Sequence, residues 1–195
     1  MASTIKVDNI QDSSGNNIIN ESSNTITIGA SGDTTNIVGT LQNNGASVGG
    51  VNTPSFSAYI GSDQTGASDN TATLVAFNAE LFDAGSKYDN TASNYKFTPA
   101  EAGKYFISAF VQIDSANANT INEAQMFIYK NGSAVSQANF DDDNNNGDRV
   151  TLSSSLALVC DENDYIQVYA QANVNSGTVT FKQDGYFTGF KIIGA

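Results

Sequence analysis

One segment of this sequence has residue types and spacing that could build an ion site: 141–148, Asp141-Asp142-Asp143-Asn144-Asn145-Asn146-Gly147-Asp148. Counted from Asp142 it reads D-x-N-x-N-G, the first half of a calcium loop in which Asp142, Asn144 and Asn146 supply oxygen ligands. The twelfth position of such a loop is a bidentate Glu; here it is Ser153, and no helical pattern flanks the run. A solvated hairpin tip between Phe140 and Val150 accounts for the same residues, so calcium is retained only as the single candidate cofactor. Other chemistry finds less support. The chain has no His, which removes Ser-His-Asp triads, Cys-His pairs and His-containing zinc sites. Its single cysteine, Cys160, closes an apolar strand pattern (Leu156, Leu158, Val159) and reads as a buried, inert thiol that can form no internal disulfide. Pairs of carboxylates occur by chance among 20 acidic residues and do not define a glycosidase. The glycines of 45–50 lack the following Lys-Ser/Thr of a phosphate loop. The sequence therefore reads as a non-enzymatic protein with no catalytic residues.

Charge narrows the partners. Against the 20 Asp+Glu stand 8 Lys+Arg, a net charge of −12, with a pI near 4.1. Binding to nucleic acid or to an anionic membrane surface runs through Lys/Arg and is not expected. No stretch is apolar enough to span a bilayer, and no membrane insertion is expected. The first residues contain no secretory hydrophobic run, so synthesis in a cytoplasm without general export is the expectation. Only 14% of residues are charged while Asn alone occurs 24 times, a make-up that favours strands and turns over helices.

The elements that must carry any site fall into two parts. Every aromatic residue lies at or after Phe56. Residues 1–50 offer scattered aliphatics, some alternating (Ile5/Val7, Ile26/Ile28), between turn clusters at 13–17, 29–33 and 43–45. That is too little apolar surface to offset the ordering of fifty backbone residues in one chain, so this part reads as an attachment or stalk segment ordered in an oligomer. A flexible polar tail is the alternative. Gly49-Gly50-Val51-Asn52-Thr53-Pro54 forms the joint.

From residue 55 to 195 the pattern is all-β. In 103–114, Tyr105, Ile107, Ala109, Val111 and Ile113 share one face, and Phe106, Ser108, Phe110 and Gln112 the other. Further strands are expected at 55–60, 74–77, 124–130, 134–140, 149–159, 165–173 and 178–193, with Asn131-Gly132 as a tight hairpin turn. Regularly spaced short strands indicate a sandwich or barrel. A strand apolar on both faces needs cover on both, from a sheltering loop or from another subunit.

Phe77, Asp83, Tyr88, Phe97, Gly103 and Tyr105 resemble the signature of the globular head of complement component one-q, a jelly roll shared with tumour-necrosis-factor-like proteins. Here Phe97 follows a two-residue insertion, and Ile107 and Ala109 replace aromatic positions. Tyr129-Lys130-Asn131-Gly132, the run from Leu156 to Val168, and Tyr186-Phe187-Thr188-Gly189-Phe190-Lys191-Ile192 resemble further segments of that family. The resemblance implies an all-β jelly-roll β-sandwich head, preceded here by the short-strand stalk. It also implies a homotrimer, with Phe106, Phe110, Tyr186, Phe187 and Phe190 as interface residues.

The opening, Met1-Ala2-Ser3-Thr4-Ile5-Lys6-Val7-Asp8-Asn9-Ile10-Gln11, is similar to the start of structural proteins of tailed bacteriophages. The expectation is a virion protein of tail-fibre or tip type, held to other virion proteins by its first 50 residues. Loops at 61–70, 117–122 and 141–148, rich in Ser, Thr, Asn and Asp, would meet a host-surface glycan. A capsid or tail decoration protein without a receptor is the nearest alternative; a polysaccharide-depolymerising spike is a more distant one.

Overall fold

The computed structural model describes residues 9–11, 13–15, 17–22, 25–28, 31–39, 41–43, 46–47, 52–118, 120–142 and 147–193. All regular structure among them is strand. The chain divides into two compact units, Met1–Gly50 and Val51–Ala195.

In the first unit β1 (Asn9–Gln11), β2 (Asn17–Ser22) and β3 (Thr25–Ile28) form an antiparallel sheet in that order, and β4 (Gln42–Asn43) pairs with β5 (Ala46–Ser47). The alternation of Ile26 and Ile28 does mark a strand, and both side chains are more than half exposed, as is Val38. Ile10, Ile19, Ile37 and Leu41 are exposed as well. The expected Ile5/Val7 strand lies outside the described residues.

The second unit contains β6 (Ser55–Tyr59), β7 (Gln64–Ala67), β8 (Thr73–Leu74), β9 (Ala79–Ala84), β10 (Tyr88–Asp89), β11 (Lys96–Phe97) and β12 (Gly103–Ser115). They are followed by β13 (Ile121–Lys130), β14 (Ser133–Asp141), β15 (Arg149–Cys160), β16 (Ile166–Val174), β17 (Val179–Phe181) and β18 (Tyr186–Lys191). Two antiparallel sheets result. In the first, β12 carries β15 along one edge and both β18 and β17 along the other; β6 and β9 continue beyond β18, and β7 beyond β17. In the second, β13 lies between β14 and β16, and β11 and β8 share the far edge of β16.

The core lies between the sheets. Tyr105, Ile107, Val111 and Ile113 of β12 are fully buried, as the alternation requires, and they face Met126 and Ile128 of β13 and Val168 of β16 in one cluster. Phe56 stacks on Tyr88 at 4.9 Å and on Phe97 at 4.6 Å, so three short strands are stitched by rings rather than by length. The signature residues explain themselves here. Both carboxylate oxygens of Asp83 accept backbone N–H groups, from Lys87 at 3.1 Å and Tyr88 at 3.0 Å, and the Tyr88 hydroxyl donates to the Phe77 carbonyl at 2.9 Å. Gly189 faces inward, where an added Cβ would come within 2.6 Å of Ile107 Cδ1 and 2.9 Å of Phe56 Cε1. Only glycine fits.

The hairpin turn is as expected: Asn131 and Gly132 have φ of 51° and 78° and join β13 to β14. Three expectations are corrected. The 74–77 strand ends at Leu74, because Phe77 and Asn78 bond back to Val75 and Ala76 in tight turns. The 178–193 strand is two strands, interrupted where Gly185 donates to the Lys182 carbonyl. The 61–70 loop contains β7.

Candidate functional site

The outward side of the first sheet is set by parity. With Tyr105, Ile107 and Ala109 turned inward, Phe106, Ser108 and Phe110 turn outward, and the register carries that orientation sideways. Phe106 pairs with Phe190, Ser108 with Thr188, and Phe110 with Tyr186. One strand further, Thr188 pairs with Ser57 and Tyr186 with Tyr59. The result is two aromatic rows, Phe106–Phe190 at 5.4 Å and Phe110–Tyr186–Tyr59 at 5.4 and 6.1 Å, separated by a row of short hydroxyls. Ser155 and Ser57 extend that row on either side. Phe82 of β9 ends it, half exposed, opposite Ser57. None of these rows contains a charged residue. Next to them a cleft of about 170 Å³ lined by Lys104, Ala157, Leu158 and Val159 continues the surface, with Val159 61% exposed.

Four of the five expected interface residues (Phe106, Phe110, Tyr186 and Phe190) therefore stand together on one face. Phe187 does not. It is fully buried, edge-on to Phe56 at 4.8 Å and beside Phe77 at 5.6 Å. Its neighbours Tyr186 and Thr188 point outward, so strand alternation must send Phe187 inward. Two residues of the face were not anticipated. Tyr59 was legible from the alternation of 55–60, whereas Phe82 sits on an irregular edge strand with a register shift at Ser57/Ala58 and gave no periodic signal.

Of the calcium candidates, Asp142 is half-buried and its backbone N–H donates to the Asn122 carbonyl at 2.7 Å; Asn144 and Asn146 lie outside the described residues. Among the described residues no cluster of three or more His, Cys, Asp or Glu is placed to hold a metal. Cys160 is buried, and burial pushes its thiol up to about 11, which keeps it un-ionised at neutral pH. Asp164, on the turn before β16, is a strongly held carboxylate. Its ion pair with Lys130 at 2.7 Å, the Asp161 N–H at 2.7 Å and the Asn131 amide at 2.5 Å hold it down to about 2. It ties the β15–β16 turn to the β13–β14 turn and is a structural clamp. Rows of rings and short hydroxyls that contain no charged residue, with Lys104 at their border, are suited to covering another surface.

No protein-family profile matches the sequence, and no curated protein matches it. Solved structures do. The globular domain of the zebrafish complement 1qA protein is similar over 71% of this chain and 97% of that one, with 15% identity and a TM-score of 0.52. Murine APRIL, crystallised at pH 5.0, is similar over 71% of this chain and 98% of its own, with 10% identity and a TM-score of 0.52. The head thus has the jelly-roll fold shared by those two proteins.

Proposed function

We propose that the chain is a homotrimeric recognition protein of a tailed bacteriophage particle, with residues 1–50 joined to other virion proteins and the head presented to a host-surface glycan. The observation that carries the reading is the aromatic–hydroxyl face of the first sheet. Burying rings of this size is the strongest driving force the surface offers, and a face this apolar needs a partner. The resemblance of the sequence to complement one-q heads implies that the partner is two further copies. The first unit supports the same reading. Exposed Ile10, Ile19, Ile26 and Ile28 on a small sheet are what copies of this segment would cover in one another. The opening residues supply the support for a phage particle.

Light scattering on the full chain is the direct test: the expected mass is three times 20.5 kDa. A monodisperse monomer overturns the trimer. For the recognition role, the purified chain is expected to adsorb to cells of a bacterial host and to compete with particles for them. Release of reducing ends from host polysaccharide would instead favour the depolymerising spike.

A further inference from the structure

The outward side of the second sheet is built on another plan. Ala124, Met126 and Ile128 of β13 and Val168, Ala170 and Ala172 of β16 are fully buried, which turns Gln125, Phe127, Tyr129, Tyr169 and Gln171 outward. Tyr169 lies opposite Phe127, and Gln171 opposite Gln125. Tyr129 and Tyr169 stack at 4.6 Å and 24°, and Phe127 meets Tyr129 at 5.9 Å and 62°. All three rings are half-buried on the sheet. Beside them runs a directed relay of polar groups. Gln171 Nε2 donates to Gln125 Oε1 at 2.5 Å, and Gln125 Nε2 donates to Glu123 Oε1 at 2.7 Å.

Charge decides what can sit there. Glu123 lies opposite Asp141 on β14, so the patch is bordered by carboxylates. Lys130, at the end of the same strand, is held by Asp164. An anionic ligand would find no free cation in this relay and would be repelled. A second copy docked face to face would strip water from Gln125, Gln171 and Glu123. A neutral sugar meets neither obstacle. The C–H face of a pyranose is apolar and packs on an aromatic ring, while its hydroxyls both donate and accept, matching amide groups and a carboxylate acceptor.

We propose that the Tyr129–Tyr169 platform, with Phe127, Gln125, Gln171 and Glu123, binds a neutral carbohydrate with hexose rings stacked on the two tyrosines. The assignment rests on the recognition role proposed above, and it moves that role from the loops to a sheet face.

The test uses the full-length chain. It is exposed to immobilised neutral oligosaccharides of glucose, galactose and N-acetylglucosamine units, with sialylated and sulfated ones alongside. Binding is expected among the neutral members alone, with NMR saturation passing from the protein to sugar-ring C–H protons. Tyr169→Ala is expected to weaken binding roughly tenfold or more. Tyr169→Phe should keep most of it, and Gln171→Ala should lower it severalfold. Oligomeric mass and melting temperature of the Tyr169→Phe and Gln171→Ala chains should stay at wild-type values, so the test survives if Tyr169→Ala fails to fold. Binding that ignores all three substitutions overturns the proposal, as does binding confined to acidic members, or no binding to any. A fall in oligomeric mass on Tyr169→Ala with the fold intact also overturns it, because the face would then be a contact between copies. Adsorption to host cells separates the two readings. If wild-type and variant chains adsorb equally, recognition stands and this site falls; if the wild type does not adsorb, recognition itself fails.

Discussion

Both outward faces of the sandwich carry packed rings, but the groups between the rings differ. On the first sheet the spacers are Ser108, Thr188, Ser57 and Ser155, short side chains that lie flush with the sheet. The Thr188 hydroxyl is already spent on the Phe56 carbonyl at 2.7 Å. A flat partner can close on such a face and exclude water with little polar desolvation. On the second sheet the spacers are Gln125, Gln171 and Glu123, long groups with hydrogen-bonding capacity beyond what the relay uses. Covering them with protein would leave polar atoms unpaired, whereas a ligand rich in hydroxyls satisfies them. An aromatic surface is thus not one kind of surface; its polar neighbours decide whether it suits a copy of the chain or a sugar.

The sharpest way to break this contrast is to place the same charge on each face. Phe110→Asp with Phe190→Asp in a chain of residues 52–195 puts two carboxylates into the aromatic rows of every copy, and the expected outcome is dissociation to a folded head monomer, read as a threefold fall in mass by light scattering. Phe127→Asp on the second face is expected to leave the mass unchanged. If the two results are exchanged, the faces have been assigned the wrong way round.

The next effect separates neighbours on one strand. In the dissociated Phe110→Asp/Phe190→Asp background, Phe187→Ala is expected to cost about 3–5 kcal/mol in denaturant unfolding, because it empties a fully buried ring position. Tyr186→Ala, one residue away and facing out, should cost less than about 1 kcal/mol there. Equal costs would mean that the parity of β18 is not as described.

How much of this was legible beforehand depended on whether the information was local. The two faces of 103–114 and the Asn131-Gly132 turn were readable because alternation and turn chemistry act within a few residues. The jelly roll was implied by the family resemblance at Phe77, Asp83, Tyr88, Phe97 and Tyr105, which did not give the reason for Asp83, whose carboxylate fixes two backbone N–H groups in a turn of no regular period. The family resemblance implies an interface role for the whole aromatic last strand, whereas strand alternation turns Phe187 into the core between the outward Tyr186 and Thr188. The Tyr129–Tyr169 stack could not be read at all. It is diagonal across two strands 40 positions apart in sequence, and only their register brings it together. Asp164 belongs to the same class. Its partners Lys130 and Asn131 sit on another turn, so its strong hold is visible only in three dimensions.

That clamp provides the smallest effect and a sign that can be checked. Asp164 closes the end of the second sheet from which β13 and β16 carry the tyrosine platform, and the first sheet has no counterpart in its aromatic rows. Its carboxyl is held at about 2 in the folded protein, chiefly by Lys130, against an ordinary 3.8. A folded value below the unfolded one means that the unfolded chain binds the proton more readily. The stabilisation is therefore complete above about pH 4 and is lost as the pH falls from 3.8 toward 2. Asp164→Asn removes the ion pair and leaves one acceptor oxygen where the Asp161 N–H and the Asn131 amide now use two, at an expected cost of about 1–2 kcal/mol at neutral pH. Melting temperatures of the two chains should converge as the pH drops through that window. Glycan binding by the variant should weaken before its trimer mass changes, since the loosened turns belong to the sheet that carries the platform. A trimer that falls apart first would tie the clamp to the other face and remove the separation between the two surfaces.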